Sequence, residues 1–409
     1  MTSPWLRGIH RHHPRCGFPR NSRRFGEQAN ERARRPRGIG RGGLAVALAL
    51  AAAPMLLIGC GGDSSGMGST ATRFVETDLV SDRAGGAATT DSALVNPWGI
   101  ATGPTSPFWI SDNEEGVSTL YDTSGTPFPA GAPLVVTLPP PAESPSGTTA
   151  TPTGVVFNGT SDFVITEGAQ SGPALFIFAT EDGTISGWNQ VVDVGNGLLT
   201  VDNSSSGAVF KGLALGSNGT GNFLFATDFS HGTIDVFDHN FAPATMAGEF
   251  RDPNIPAGFA PFGIQNIDGN LYVTYAKQNG EKHDDVAGAG NGFVDVFDTD
   301  GNLMRRFASQ GTLNSPWGLV LAPASFGTFS QALLVGNFGD GRINAFDASS
   351  GKFLGQLPGE TGAPISISGL WGLIIGNGAK GGDADTLYFT AGTDDEKHGT
   401  FGSLRPSMG

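Results

Sequence analysis

Six copies of one β-rich unit constrain this chain more than any other feature. A glycine at the start of a short apolar run recurs as Gly99 (NPWGIA), Gly154 (TPTGVVF), Gly212 (FKGLAL), Gly263 (APFGIQ), Gly318 (SPWGLV) and Gly372 (GLWGLI), at spacings of 55, 58, 51, 55 and 54 residues. A second glycine (Gly116, Gly183, Gly232, Gly292, Gly341, Gly399) precedes by five residues Tyr121, Trp188, Phe237, Phe297, Phe346 or Leu404. Runs such as TIDVF, FVDVF and RINAF alternate and favour β-branched or aromatic residues, as half-buried strands do. The Asp that follows four of the aromatics, at Asp122, Asp238, Asp298 and Asp347, suits a hairpin start, because its carboxylate bonds its own downstream backbone. A unit of about 50 residues with three or four strands is a propeller blade.

The expected fold is therefore all-β, a six-bladed β-propeller over residues 73–405 with no sustained helical period. The last copy ends soon after Arg405, whereas residues 73–81 (RFVETDLVS) read as a strand ahead of the first copy. That leading strand is expected to join the last blade and close the ring, which removes an exposed edge. Residues 406–409 read as a frayed end, and residues 191–207 as an irregular insertion.

The first 60 residues have a different character. Arg-rich sequence leads into sixteen apolar residues, 44–59, and then Cys60. The run is too short for a confident spanning helix and reads as the core of a secretory signal. Leu57-Ile58-Gly59-Cys60 resembles a bacterial lipobox, in which the cysteine becomes the lipidated first residue. The basic stretch before it is long for a signal, and a start further downstream is expected. Residues 61–72 (GGDSSGMGSTAT) read as a flexible tether. The only other cysteine is Cys16, so no disulfide forms within residues 61–409. Residues 61–409 carry 13 basic and 36 acidic side chains, a net charge of −23. Such a surface repels phosphate backbones and anionic lipid, so no nucleic-acid partner is expected and the membrane is met through the lipid anchor only. The expected location is the cell envelope, periplasmic or outer surface, and a monomer is expected.

The opening motifs and the ending Gly-x-Ile/Val-x-x-aromatic-Asp resemble the NHL-repeat class of six-bladed propellers. The fuller strings APFGIQNI, GFVDVFDTDGNL, VGNFGDGRINAFD and GLWGL resemble an uncharacterised family of exported bacterial propellers. The resemblance implies the fold and export, and no activity. Some members of the wider six-bladed class are metal-dependent lactonases or lyases, but none of their catalytic residues is matched here one for one.

In a propeller, the turn into the innermost strand and the turn between the second and third strands share a face. Two acidic loops two blades apart, residues 281–285 (EKHDD) and 394–398 (DDEKH), are expected to overlook the central channel together. Asp284, Asp285, Asp394, Asp395 and Glu396 are the candidate metal ligands, for Ca²⁺ or another divalent cation, since hard cations take several oxygens. His283 and His398 are the candidate bases. The plain alternative is that these loops are merely solvated. Trp98, Phe262, Trp317 and Trp371 are candidate ligand-stacking residues, although such aromatics more often wedge between blades. Asp112, Asp228, His231 and Asp340 are further candidates on the same face. Two function classes follow: a binding scaffold for a small molecule or extracellular protein, or a metal-dependent hydrolase or lyase with its site over the channel.

Overall fold

A computed structural model describes residues 72–408; the signal-like segment, Cys60 and the tether up to residue 71 lie outside the described residues. The architecture is all-β and propeller-like, with each repeat forming successive antiparallel strands. In the fifth repeat the strands Pro316–Leu321, Ala332–Asn337, Ile343–Asp347 and Phe353–Gln356 lie side by side in chain order. The fourth repeat does the same with Phe259–Ile267, Asn270–Lys277, Phe293–Phe297 and Leu303–Ser309. The third has three strands, Phe210–Ser217, Asn222–Asp228 and Thr233–Phe237. The first and second repeats share one eight-stranded sheet, joined where Thr137 pairs in parallel with Asn196. That junction lies in Asp193–Asp202, an outer strand in the stretch expected to be irregular. Trp188 anchors it by donating its indole N–H to the Val194 carbonyl at 3.1 Å.

In the sixth repeat, Leu370–Ile375 and Leu387–Gly392 are followed by the eleven-residue strand His398–Met408. Thr72–Ser81 pairs antiparallel along that strand, from Thr72 opposite Met408 to Ser81 opposite Thr400. The expected fraying of residues 406–409 is thus corrected for Pro406, Ser407 and Met408, which lie opposite Phe74, Arg73 and Thr72; Gly409 lies outside the described residues.

The turn aspartates cap as the sequence suggests. Asp122 Oδ1 accepts the Ser124 and Thr126 N–H groups at 2.9 and 3.0 Å, and Asp298 Oδ1 those of Asp300 and Asn302 at 3.1 and 2.8 Å.

Apolar residues from neighbouring repeats meet between sheets. Trp109 of the first repeat stacks on Phe176 of the second at 4.2 Å, and Phe108 of the first meets Tyr388 of the sixth at 4.6 Å. Each buried aromatic of this kind contributes about 1.5–3 kcal/mol relative to exposure. The inner strands approach at their glycines. A Cβ on Gly263 would lie 2.2 Å from the Trp317 carbonyl oxygen, and one on Gly372 would lie 2.7 Å from that of Trp98. Sixth and first inner strands are therefore in contact, as fourth and fifth are. The constriction lined by these strands, Gly99, Gly154 and Gly318 among them, holds only about 30 Å³.

Candidate functional site

Above this constriction the loops that follow the second strands converge with the starts of the inner strands. They enclose a cavity of about 440 Å³ lined by residues from all six repeats: Asn96, Trp98, Asn113 and Glu114; Glu181; Lys211; His283, Asp284 and Asp285; Phe338; Trp371 and Glu396.

Lys211 lies at the centre of its polar contacts. It sits in the inner strand Phe210–Ser217, where register turns its side chain among the loops, and it is only 2% exposed. A buried ammonium is tolerated only when paired. Its Nζ pairs with Glu181 Oε1, lies 3.5 Å from Asp284 Oδ1 and stands 5.1 Å from the centre of the Trp98 ring. Glu181 is fixed in turn, since Asn113 Nδ2 donates to Glu181 Oε2 at 2.9 Å. Asn96 Nδ2 donates to Asn113 Oδ1 at 3.3 Å, and Asn96 Oδ1 accepts the Trp371 indole N–H at 3.1 Å. The Trp317 indole N–H reaches the Lys211 carbonyl at 2.9 Å. One polar network thus ties all six repeats together around the lysine, with Asp284 entering from the fourth.

The carboxylates outnumber the cations. Glu114, Glu181, Asp284, Asp285 and Glu396 face Lys211 and His283. His283 Nδ1 lies 2.7 Å from Asp284 Oδ1. That hydrogen bond raises His283 above its ordinary range and lowers Asp284 below its own. Both side chains are about half exposed or more, so the pair adds little stability. Burial, opposed by a hydrogen bond and by Lys211, raises Asp285. Glu396 is pushed up to about 7, first by burial and then by Glu181, with Lys211 opposing and Asp285 and Asp284 adding. Its loop is unusual: Asp394, Asp395 and Glu396 take φ values of +54°, +54° and +65°, a left-handed turn disfavoured for L-residues. This turn carries Glu396 into the cavity while its two acidic neighbours remain exposed.

The wall is aromatic. Trp98 stacks on Trp371 at 3.6 Å and 19°, and Phe338 stacks on the other side of Trp371 at 4.0 Å and 19°. Trp317 meets Trp98 and Trp371 edge-on at 6.3 and 5.9 Å. Trp98, Phe262 and Trp371 are 2%, 0% and 1% exposed, so they also form the apolar floor. Among the described residues, the Trp98 indole N–H has no hydrogen-bond partner.

Of the residues expected from sequence, Trp98, Trp371, His283, Asp284, Asp285 and Glu396 line this cavity. The others lie elsewhere. Asp394 bonds Arg83 at 2.6 Å, and Asp395 is 98% exposed beside Lys397. His398 Nδ1 lies 2.6 Å from Asp82 Oδ2. Asp228 is buried beneath His231, whose Nδ1 is 2.6 Å away. Asp112 is buried and accepts the Thr119 N–H at 3.0 Å; burial holds its carboxyl well above the usual range. Asp340 accepts from Asn337 Nδ2 at 3.0 Å. Phe262 lies in the floor, and Trp317 lines the constriction. Lys211, Glu181, Asn96, Asn113, Glu114 and Phe338 were not anticipated. Lys211 had a signal: it occupies the position before the repeat glycine where the other copies carry Trp, Thr or Phe.

Among the described residues, Glu181, His283 and Asp284 offer ligand atoms within 4.8 Å of one another, a spacing that suits a metal ion. The Lys211 ammonium stands on the same two carboxylates. A second cation about 4 Å from it meets repulsion of about 4 kcal/mol per unit charge at an effective dielectric constant near 20.

The fold and cavity define an all-β, propeller-like protein with an acidic, aromatic-walled recess over its inner strands. No family model matches the chain. An uncharacterised protein of Acanthamoeba polyphaga mimivirus is 36% identical over 333 residues, covering 80% of this chain and 78% of its own length. A second from the same virus is 34% identical over 333 residues, covering 80% and 84%. The chain belongs to the family of these uncharacterised proteins. Among solved structures, virginiamycin B lyase from Staphylococcus aureus aligns with a TM-score of 0.45 at 16% identity, covering 82% of this chain and 99% of that one. The soluble aldose sugar dehydrogenase of Escherichia coli aligns at 0.48 and 12%, covering 82% and 100%. A gluconolactonase from Xanthomonas campestris aligns at 0.45 and 15%, covering 77% and 87%.

Proposed function

We propose that this protein is a ligand-binding propeller whose recess over the inner strands takes a small molecule. The observation that carries the reading is convergence: all six repeats send side chains to one cavity of about 440 Å³, within the size range of small-molecule sites. In this reading the repeats form six blades in a ring, with Thr72–Ser81 beside His398–Met408 as the clasp. The inner-strand contacts at Gly263 and Gly372, and the packing of Phe108 on Tyr388, support it. The protein acts as an exported, NHL-like monomer of the cell envelope, held by a lipid on Cys60. The lipobox-like run and the net charge of residues 61–409 support that placement. Metabolic labelling with an alkynyl fatty acid checks the anchor: Cys60→Ser removes the label if the reading is right, and an unchanged label sinks it.

The binding reading itself is tested by a thermal-shift and tryptophan-fluorescence screen of the full chain against amines, sugars, carboxylic acids and divalent cations. Trp98 and Trp371 report occupancy directly, and a protein silent to every class contradicts the reading. A second reading, a metal-dependent hydrolase or lyase, is favoured by the Glu181, His283 and Asp284 spacing. It requires Ca²⁺, Mn²⁺ or Zn²⁺ to displace Lys211 from its carboxylates. Calorimetric titration of chelator-treated protein decides it, and absence of heat with all three ions removes it.

A further inference from the structure

We propose that the cavity takes a small organic ammonium ion, its charge received by Glu396 and Asp285 and its apolar body lying along the Trp371–Phe338 stack. The inference rests on the ligand-binding reading above and adds the chemical class. Lys211 already neutralises Glu181 and approaches Asp284, so those two carboxylates are engaged. Glu114, Asp285 and Glu396 line the same cavity and form no ion pair among the described residues. Burial first, and Glu181 next, push the Glu396 carboxyl up to about 7, and the Lys211 ammonium, already paired with Glu181, only partly opposes this.

The walls select the kind of cation. A bare metal gains nothing from an aromatic wall, whereas an organic cation buries its carbon skeleton against the half-buried Phe338 at the end of the stack and the rims of Trp98 and Trp371. Trp98 supplies an independent pointer: it lines the cavity, is buried, and its indole N–H has no acceptor among the described residues.

The test titrates the full chain at pH 8, where Glu396 is ionised, with 2-amino-1-phenylethanol, with its uncharged counterpart 1-phenylethanol, and with CaCl₂. Heat and tryptophan quenching are both followed. The expected result is saturable binding of the amine and binding of 1-phenylethanol at least about tenfold weaker. Ca²⁺ should not compete, and Glu396→Gln and Asp285→Asn should each lose about tenfold in affinity. Melting curves of both variants establish that they are folded. Equal binding of 1-phenylethanol overturns the ammonium inference and leaves the cavity as a binding site. Calcium that displaces the amine overturns it in favour of a metal. Silence toward all three probes, with the wider screen also silent, overturns both readings together.

Discussion

Replacing Glu396 with Gln should stabilise the protein, and only above a definite pH. The carboxyl normally titrates near 4.5 and in the folded chain is pushed up to about 7. Its native pKa is raised, so the folded state holds a proton that the unfolded state has released between those two values. Stability therefore falls as pH rises through that window and stays low above it. The displacement is worth about 3 kcal/mol at full effect. Gln resembles the protonated acid, keeps the same backbone turn and so carries the same left-handed cost. The variant should match the parent near pH 4 and gain as pH rises, reaching about 3 kcal/mol above pH 7.5. His283 is raised, so its contribution runs in the same direction with pH, but its causes do not include Glu396 and it cancels between the two proteins. Urea unfolding at pH 4, 6 and 8 measures the difference directly. A variant that is equally stable to the parent at pH 8, or destabilised alike at every pH, would refute the claim that an uncompensated carboxylate faces this cavity.

Gly263→Ala should cost about 3 kcal/mol or prevent folding, because its Cβ would lie 2.2 Å from the Trp317 carbonyl oxygen; denaturant titration reads it. Lys211→Met should destabilise by about 3 kcal/mol through the stranded Glu181 carboxylate, and adding Glu181→Gln should recover most of that loss in the same assay. Asp395→Gly should raise stability by about 0.5–1 kcal/mol, since an exposed residue at φ +54° exchanges a left-handed penalty for glycine's greater unfolded entropy; a fall in melting temperature contradicts this.

The fold was largely legible because its signal is repeated. Glycines that mark close backbone approach and aspartates that cap hairpins recur at fixed offsets, so one copy interprets the others. The outer strand Asp193–Asp202 was hidden: its three Asp and Asn residues and two glycines read as a loop, and only pairing to the neighbouring strand makes it β. The site was legible in part. The two acidic loops looked equivalent by composition, but their backbones differ. In the first, His283 stays beside Asp284 at the cavity; in the second, His398 turns to Asp82 near the leading strand. A left-handed turn decides that Glu396, and not Asp394 or Asp395, faces inward, and no residue in DDEKH announces such a turn. Glu181 was masked by its own context, since Glu-Asp-Gly is fully explained as a tight turn.

The most direct measurement is a crystal structure of the full chain with 2-amino-1-phenylethanol. The amine nitrogen is expected within hydrogen-bond reach of Glu396 and Asp285, the ring along Trp371 and Phe338, and Lys211 still paired with Glu181. A divalent ion held by Glu181, His283 and Asp284 with Lys211 displaced, or an amine bound away from the inner strands, would contradict it.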